Sequence, residues 1–121
     1  KFKKSLNGSR VLILGAAYKK DIDDMRESPS LKLIEILREK GAQVSYSDYL
    51  VPKLPKTRKY KYDMKSVKLT VKSLSEFDLV IVSTDHSDFD YKLIAKNAKL
   101  IIDTRNAFEA NKIKSKNIFK A

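Results

Sequence analysis

The chain has 121 residues, no cysteine, and a formal net charge of +11 from 26 Lys+Arg against 15 Asp+Glu. That length accommodates one core, and without cysteine there is no disulfide framework, thiolate metal site or cysteine nucleophile. Hydrophobic content of 42% is ordinary for a globular protein, and no apolar run approaches the roughly 20 residues that cross a bilayer. Lys1-Phe-Lys-Lys4 leads into a polar segment rather than an apolar one, so no signal peptide is read and a cytoplasmic setting is expected. The charge favours anionic partners. Only Arg10, Arg26, Arg38, Arg58 and Arg105 are arginines, however. Scattered lysine more often keeps a protein soluble than it builds bidentate phosphate contacts.

Residues 1–9 read as a basic linker remnant, with one domain over 10–121. Val11–Gly15 is an unbroken apolar run, as in a strand buried on both faces. A helix follows over 29–40: Ser28 suits its N-cap, Pro29 its first position and Gly41 the position just past its end. Leu31, Ile34 and Leu37, with Leu33 beside them, form the buried stripe. Gln43–Asp48 reads as a second strand with Val44 and Tyr46 inward and Ser45 and Ser47 outward. The strand–helix–strand unit is right-handed.

Tyr49–Ser66 carries Pro52, Pro55 and the basic run Lys56–Tyr62, and reads as a long surface loop before a short strand near Val67–Val71. Ser73-Leu-Ser-Glu76 matches a capping box that opens one helical turn. Asp78–Thr84 is the clearest buried strand, Asp88 or Asp90 caps a helix through Lys96, and Lys99–Asp103 is another strand. Ile118 and Phe119 supply a last edge strand. Strands alternating with helices predict an α/β fold: one doubly wound, mainly parallel sheet flanked by helices, Rossmann-like and a single domain.

Loops 15–28, 84–90 and 103–110 leave the carboxyl ends of predicted strands, and right-handed crossovers bring them to one sheet edge. They carry Lys19, Lys20 and Arg26; Asp85 and His86; and Arg105 with Asn106. An anionic ligand there meets Lys19 or Lys20, Arg105 and the N-terminus of the 29–40 helix. Arg26 has an alternative partner in Asp23 or Asp24. Those carboxylates, with Asp21, lack the glycine and closing glutamate of a calcium loop, so no metal site is read. His86 is the only histidine and lacks a serine–acid partner pattern, so it reads as a polar loop or packing residue. Gly15 stands alone rather than in G-x-G-x-x-G, so a complete dinucleotide fingerprint is absent.

The run Gly15-Ala-Ala-Tyr-Lys-Lys-Asp-Ile-Asp-Asp-Met-Arg-Glu-Ser-Pro-Ser-Leu31 resembles the signature opening the C-terminal domain of the UDP-glucose/GDP-mannose dehydrogenase family. Gly41–Val44, Tyr46-Ser-Asp48, Val51-Pro52, Ser83-Thr-Asp-His86 and Ile102-Asp-Thr-Arg-Asn106 agree with it, so the resemblance covers residues 8–121. Its Tyr-Lys-Lys loop is most similar to the UDP-N-acetylglucosamine 6-dehydrogenase branch. The resemblance implies a domain that binds the UDP part of a nucleotide sugar. Its parent oxidises the C6 alcohol to a carboxylate in two NAD-dependent steps for surface polysaccharide synthesis. The catalytic cysteine and the dinucleotide fingerprint belong to an N-terminal domain. By the same motif Tyr18, Lys19 and Arg105 contact the UDP-sugar and Arg26 reaches NAD. No catalytic residue falls in this chain, which is expected to be inactive alone; the parent is expected to be a homo-oligomer without membrane or nucleic-acid partners. Two departures stand out: Tyr49 replaces the proline that often follows Asp48, and the lysine-rich loop 53–66 has no family role.

Two rivals are weaker. A basic nucleic-acid-binding module wants aromatics on an exposed sheet face, whereas the tyrosines of 56–62 sit in one loop. A receiver-like domain needs an aspartate at the end of the third strand and a later lysine, an arrangement not found convincingly here.

Overall fold

The computed structural model describes residues 7–16, 29–54 and 63–120. Within them the chain runs β1 (Arg10–Leu14), α1 (Pro29–Glu39), β2 (Gln43–Ser47), α2 (Val71–Ser75), β3 (Leu79–Val82), α3 (Tyr91–Asn97), β4 (Ile101–Asp103), α4 (Ala107–Ala110) and β5 (Ile118–Lys120). The five strands form one sheet in the order β2-β1-β3-β4-β5, every pairing parallel. This is a common doubly wound order, and its direction reverses between β1 and β3. At that point the crossovers leave to opposite faces and a crevice opens at the carboxyl ends.

Both faces of the sheet are covered, because successive side chains of a strand alternate between them. Val11, Ile13, Leu79 and Ile81 pack with Leu31, Ile34 and Leu37 of α1. Leu12, Leu14, Val80 and Val82 pack with Leu74 of α2, Ile94 of α3 and Phe108 of α4. The four apolar residues of β1 are fully buried, each contributing on the order of 1.5–3 kcal/mol. Pro29 opens α1, where its missing N–H costs nothing. The helix closes as expected at Gly41, which sits at φ +86. The N–H groups of Gly41 and Ala42 donate to the carbonyls of Arg38 (3.0 Å) and Leu37 (3.1 Å), the paired bonds of a left-handed helix stop.

Several local expectations need correction. Ser47 is buried rather than outward, because its hydroxyl donates to the Val67 carbonyl (2.6 Å) of a segment crossing the edge of β2. No strand forms at 67–71: the residues just ahead of it make only isolated bridges among the described residues, Ser66 with Tyr46 (parallel) and Lys65 with Lys53 (antiparallel). The capping box lies three residues earlier than read. Thr70 Oγ1 accepts from Ser73 N (3.0 Å) while Ser73 Oγ accepts from Thr70 N (2.9 Å), so Glu76 ends α2 rather than belonging to its start. The 49–66 stretch is not wholly superficial either. Val51, Leu54 and Met64 are buried, and Tyr46 donates its hydroxyl to the Val51 carbonyl (2.7 Å). Burial, with the Asp48 charge adding to it, pushes the Tyr46 phenol up to about 12. Gly8 N donates to Gly41 O (2.8 Å) and Ser9 O accepts from Gln43 N (2.7 Å), so the fold's backbone bonding starts ahead of β1. No helix among the described residues is long and apolar enough to cross a membrane.

Candidate functional site: an anion site at the carboxyl edge of the sheet

The three loops read from the sequence do converge where their described residues allow a test. Gly15 continues β1 by donating its N–H to Ser47 O (2.8 Å), and Ser83 and Thr84 both donate backbone N–H groups to Leu14 O (2.9 and 3.1 Å). Ser30, fully buried in the first turn of α1, donates its hydroxyl to Gly15 O (2.8 Å) and lies 2.6 Å from Ser83 Oγ. A carbonyl only accepts, so the single Ser30 proton goes to Gly15 and Ser83 donates to Ser30. Strand end, helix start and β3 end are thereby locked together. Ser30→Ala removes both bonds and is expected to cost about 1–2 kcal/mol, read as a lower urea midpoint with unchanged slope.

Arg105 completes this edge. Thr104 donates its hydroxyl to Val82 O, and Arg105 Nε donates to Ser83 O (3.0 Å). Asp103, buried at the end of β4, accepts Arg105 N (3.0 Å) on one carboxylate oxygen and Phe108 N (2.9 Å) on the other. The carboxylate thus shapes the turn into α4, and Asn106 takes the left-handed conformation at φ 60 that asparagine tolerates. No carboxylate among the described residues pairs with the Arg105 guanidinium, which is exposed. A groove of about 480 Å3 lies beside it, bounded by Pro29, Lys32, Leu33, Ile36, Ser83 and Arg105. The N-terminal end of α1 opens on the same edge and adds a favourable field for negative charge. A second groove of about 490 Å3, among Tyr49, Leu69, Phe89 and Leu93, also presents Asp48, Asp88 and Asp90. That groove sets Asp88 and Asp90 against the one lysine Lys68, whereas the Arg105 groove has Lys32 and no carboxylate and is the better site for an anion.

Behind the edge lies a buried Asp–His hydrogen-bonded pair. Asp48 and His86 are both fully buried, with His86 Nε2 2.8 Å from Asp48 Oδ2. The same oxygen accepts Ala16 N (2.7 Å), and Oδ1 accepts Leu50 N (2.9 Å). Burial opposes ionisation of Asp48, but the bonds from His86, Ala16 and Leu50 outweigh it and hold the carboxyl below its usual range. As a carboxylate it only accepts, so His86 Nε2 carries the hydrogen. Because the folded-state value lies below the unfolded one, this stabilisation is present above about pH 4 and is lost as pH falls through the folded value. Asp48→Asn is therefore expected to flatten the acid limb of stability against pH, measured by urea titration from pH 6 downwards.

Of the residues selected from sequence, Arg105 stands on this edge, tied to the end of β3 and the start of α1. Tyr18, Lys19, Lys20 and Arg26, with Ser28 and the aspartates 21, 23 and 24, lie outside the described residues. His86 is a buried polar packing residue, as read, rather than a member of the open groove. Asp90, not Asp88, caps α3 by accepting Leu93 N (3.1 Å). No group of three acidic or histidine side chains among the described residues is placed to hold a metal. Ser30, Asp48 and Asp103 were not singled out for this edge. A polar residue bordering an apolar strand or opening a helix was the available signal.

Residues 12–110 match the family described as UDP-glucose/GDP-mannose dehydrogenase family, UDP binding domain. The chain is 36% identical over 110 residues to a UDP-N-acetyl-D-mannosamine dehydrogenase of Methanococcus vannielii, covering 84% of this chain and 24% of the relative. It is 29% identical to a UDP-glucose 6-dehydrogenase of Rickettsia bellii, covering 91% of this chain and 26% of that one. Among solved structures, an NDP-N-acetyl-D-galactosaminuronic acid dehydrogenase from Methanosarcina mazei superposes with a TM-score of 0.71 at 28% identity, over 98% of this chain and 25% of the other. The chain thus spans about a quarter of the length of the relatives it matches.

Proposed function

The chain belongs to the UDP-glucose/GDP-mannose dehydrogenase family, and from that premise we propose that it is the UDP-sugar-binding C-terminal part of an NAD-dependent nucleotide-sugar 6-dehydrogenase. The observation that carries this is the exposed Arg105 guanidinium. It is bonded to the end of β3 and stands beside the α1 N-terminus, on the edge from which the 15–28 signature loop departs. On this reading Tyr18, Lys19 and Arg105 contact the nucleotide sugar. The parent converts the C6 alcohol to a carboxylate in two oxidations. It does so in the cytoplasm, as a homo-oligomer serving surface polysaccharide synthesis.

The described residues do not form a dinucleotide cradle. Gly15 is the one glycine at this edge, and its open side is filled: a Cβ there would lie 2.5 Å from Thr84 Cβ. We derive no step through NAD within this chain; Arg26 reaches NAD held by the N-terminal domain. The Tyr18-Lys19-Lys20 run points to UDP-N-acetylglucosamine, while the names of several relatives specify UDP-N-acetyl-D-mannosamine. Both are UDP-N-acetylhexosamines, and that is the substrate class we propose.

Isothermal titration of the chain with UDP, UDP-N-acetylmannosamine, UDP-N-acetylglucosamine and ADP tests the reading. The expected result for this chain, which spans about a quarter of its relatives' length, is weak binding of the three uridine compounds and none of ADP. ADP binding as tightly as UDP would overturn it.

A further inference from the structure

We propose that Asp48 and His86 form a positioning pair that fixes the end of β1 at Ala16, and so the sheet edge at which the UDP-sugar binds. The inference rests on the reading of that edge as UDP-sugar-binding. Three loops that leave the carboxyl ends of neighbouring strands meet at this one carboxylate. Ala16 N, the last described donor before the loop, bonds Oδ2 (2.7 Å); Leu50 N bonds Oδ1 (2.9 Å); His86 Nε2 bonds Oδ2 (2.8 Å). His86 is itself held. Tyr91 donates its hydroxyl to the His86 carbonyl (2.6 Å), and the Tyr49 ring meets the imidazole edge-on at 5.3 Å.

The start of α1 is tied to the same strand end, where Ser30 Oγ donates back to Gly15 O. Gly15 and Ala16 are therefore each held by a buried hydrogen bond, Ala16 by a charged acceptor. A carboxylate sealed from water is costly unless every lone-pair direction has a donor. Asp48 supplies an acceptor strong enough to hold Ala16 only while His86 balances it. Losing the imidazole leaves the charge undercompensated, and the pair relaxes toward water, taking the Ala16 anchor with it. Gln reaches the Nε2 position with an N–H donor, whereas Leu has similar bulk and no donor.

The test compares wild type, His86→Leu, His86→Gln and Ile94→Val, a conservative core change on α3 away from this edge that serves as the control for lost stability. Two readouts are taken: backbone amide exchange at Ala16 without ligand, and UDP affinity. The expected result is exchange at Ala16 at least tenfold faster and UDP affinity about tenfold lower in His86→Leu. His86→Gln restores both, and Ile94→Val shows neither effect. Unchanged Ala16 exchange in His86→Leu overturns the anchor whatever UDP does. Faster exchange with wild-type UDP affinity overturns the positioning role. Faster exchange in His86→Leu, with no UDP binding even by wild type, supports the anchor and sinks the UDP reading instead.

Discussion

Arg105→Ala is expected to lower UDP affinity by about 10- to 100-fold while leaving the thermal midpoint within a few degrees of wild type. A hydrogen bond to a charged group contributes about 1.5–3 kcal/mol, and each 1.4 kcal/mol is a factor of ten. The side chain is exposed, and its one side-chain bond is from Nε to the Ser83 carbonyl. That bond ties the fork to the end of β3, beside the groove that Arg105 lines. Removing the guanidinium therefore touches recognition more than folding. Arg105→Lys keeps the charge and loses the planar fork, so its affinity should fall between wild type and alanine. Calorimetric titration of the three proteins with UDP, alongside their melting curves, checks this. Equal affinities would remove Arg105 from the site.

The second large effect is on stability. Gly15→Ala should destabilise the chain by about 2–5 kcal/mol, combining roughly 1–2 kcal/mol for a left-handed non-glycine residue with roughly 1–3 kcal/mol of overpacking. Gly15 sits at φ +86, and its missing Cβ would fall 2.5 Å from both Thr84 Cβ and Thr84 O. Thr84 cannot withdraw easily, because its N–H is bonded to Leu14 O and it is buried. Gly8 provides the contrast: at φ +80 its Cβ would meet nothing within 4 Å, so Gly8→Ala should cost only the backbone term. Urea denaturation of both variants separates strain from collision. A Gly15→Ala protein as stable as Gly8→Ala would show that the close approach to Thr84 does not matter.

Much of this architecture was legible in the sequence. Val11–Leu14 and Leu79–Val82 contain nothing but apolar residues, which only a strand covered on both faces can use. Pro29 and Gly41 bracket α1 by steric rules that hold before any packing is known. Arg105 followed from topology alone: once strands alternate with helices, right-handed crossovers force the loops after β1, β3 and β4 to one edge. The misread parts depend on tertiary contacts. Ser47 follows an alternating pattern and so reads as outward, but the 66–69 segment crosses it and offers the Val67 carbonyl. Ser73–Glu76 has the usual capping-box spacing, but the reciprocal bonds of Thr70 and Ser73 set the start of α2. Asp48 looked like the end of a strand motif. Its role depends on Ala16, 32 positions earlier, and His86, 38 later.

The UDP-sugar is proposed to bind at the carboxyl edge between β1 and β3. The most direct measurement is amide chemical-shift mapping of the chain during a UDP titration. We expect saturable shifts concentrated at Gly15–Ala16, Ser30–Leu31, Ser83–Thr84 and Thr104–Asn106, with β5 and the second groove near Leu69 and Leu93 unmoved. Shifts that cluster around Leu69, Phe89 and Leu93 while Arg105 and Ser83 stay still would contradict the claim.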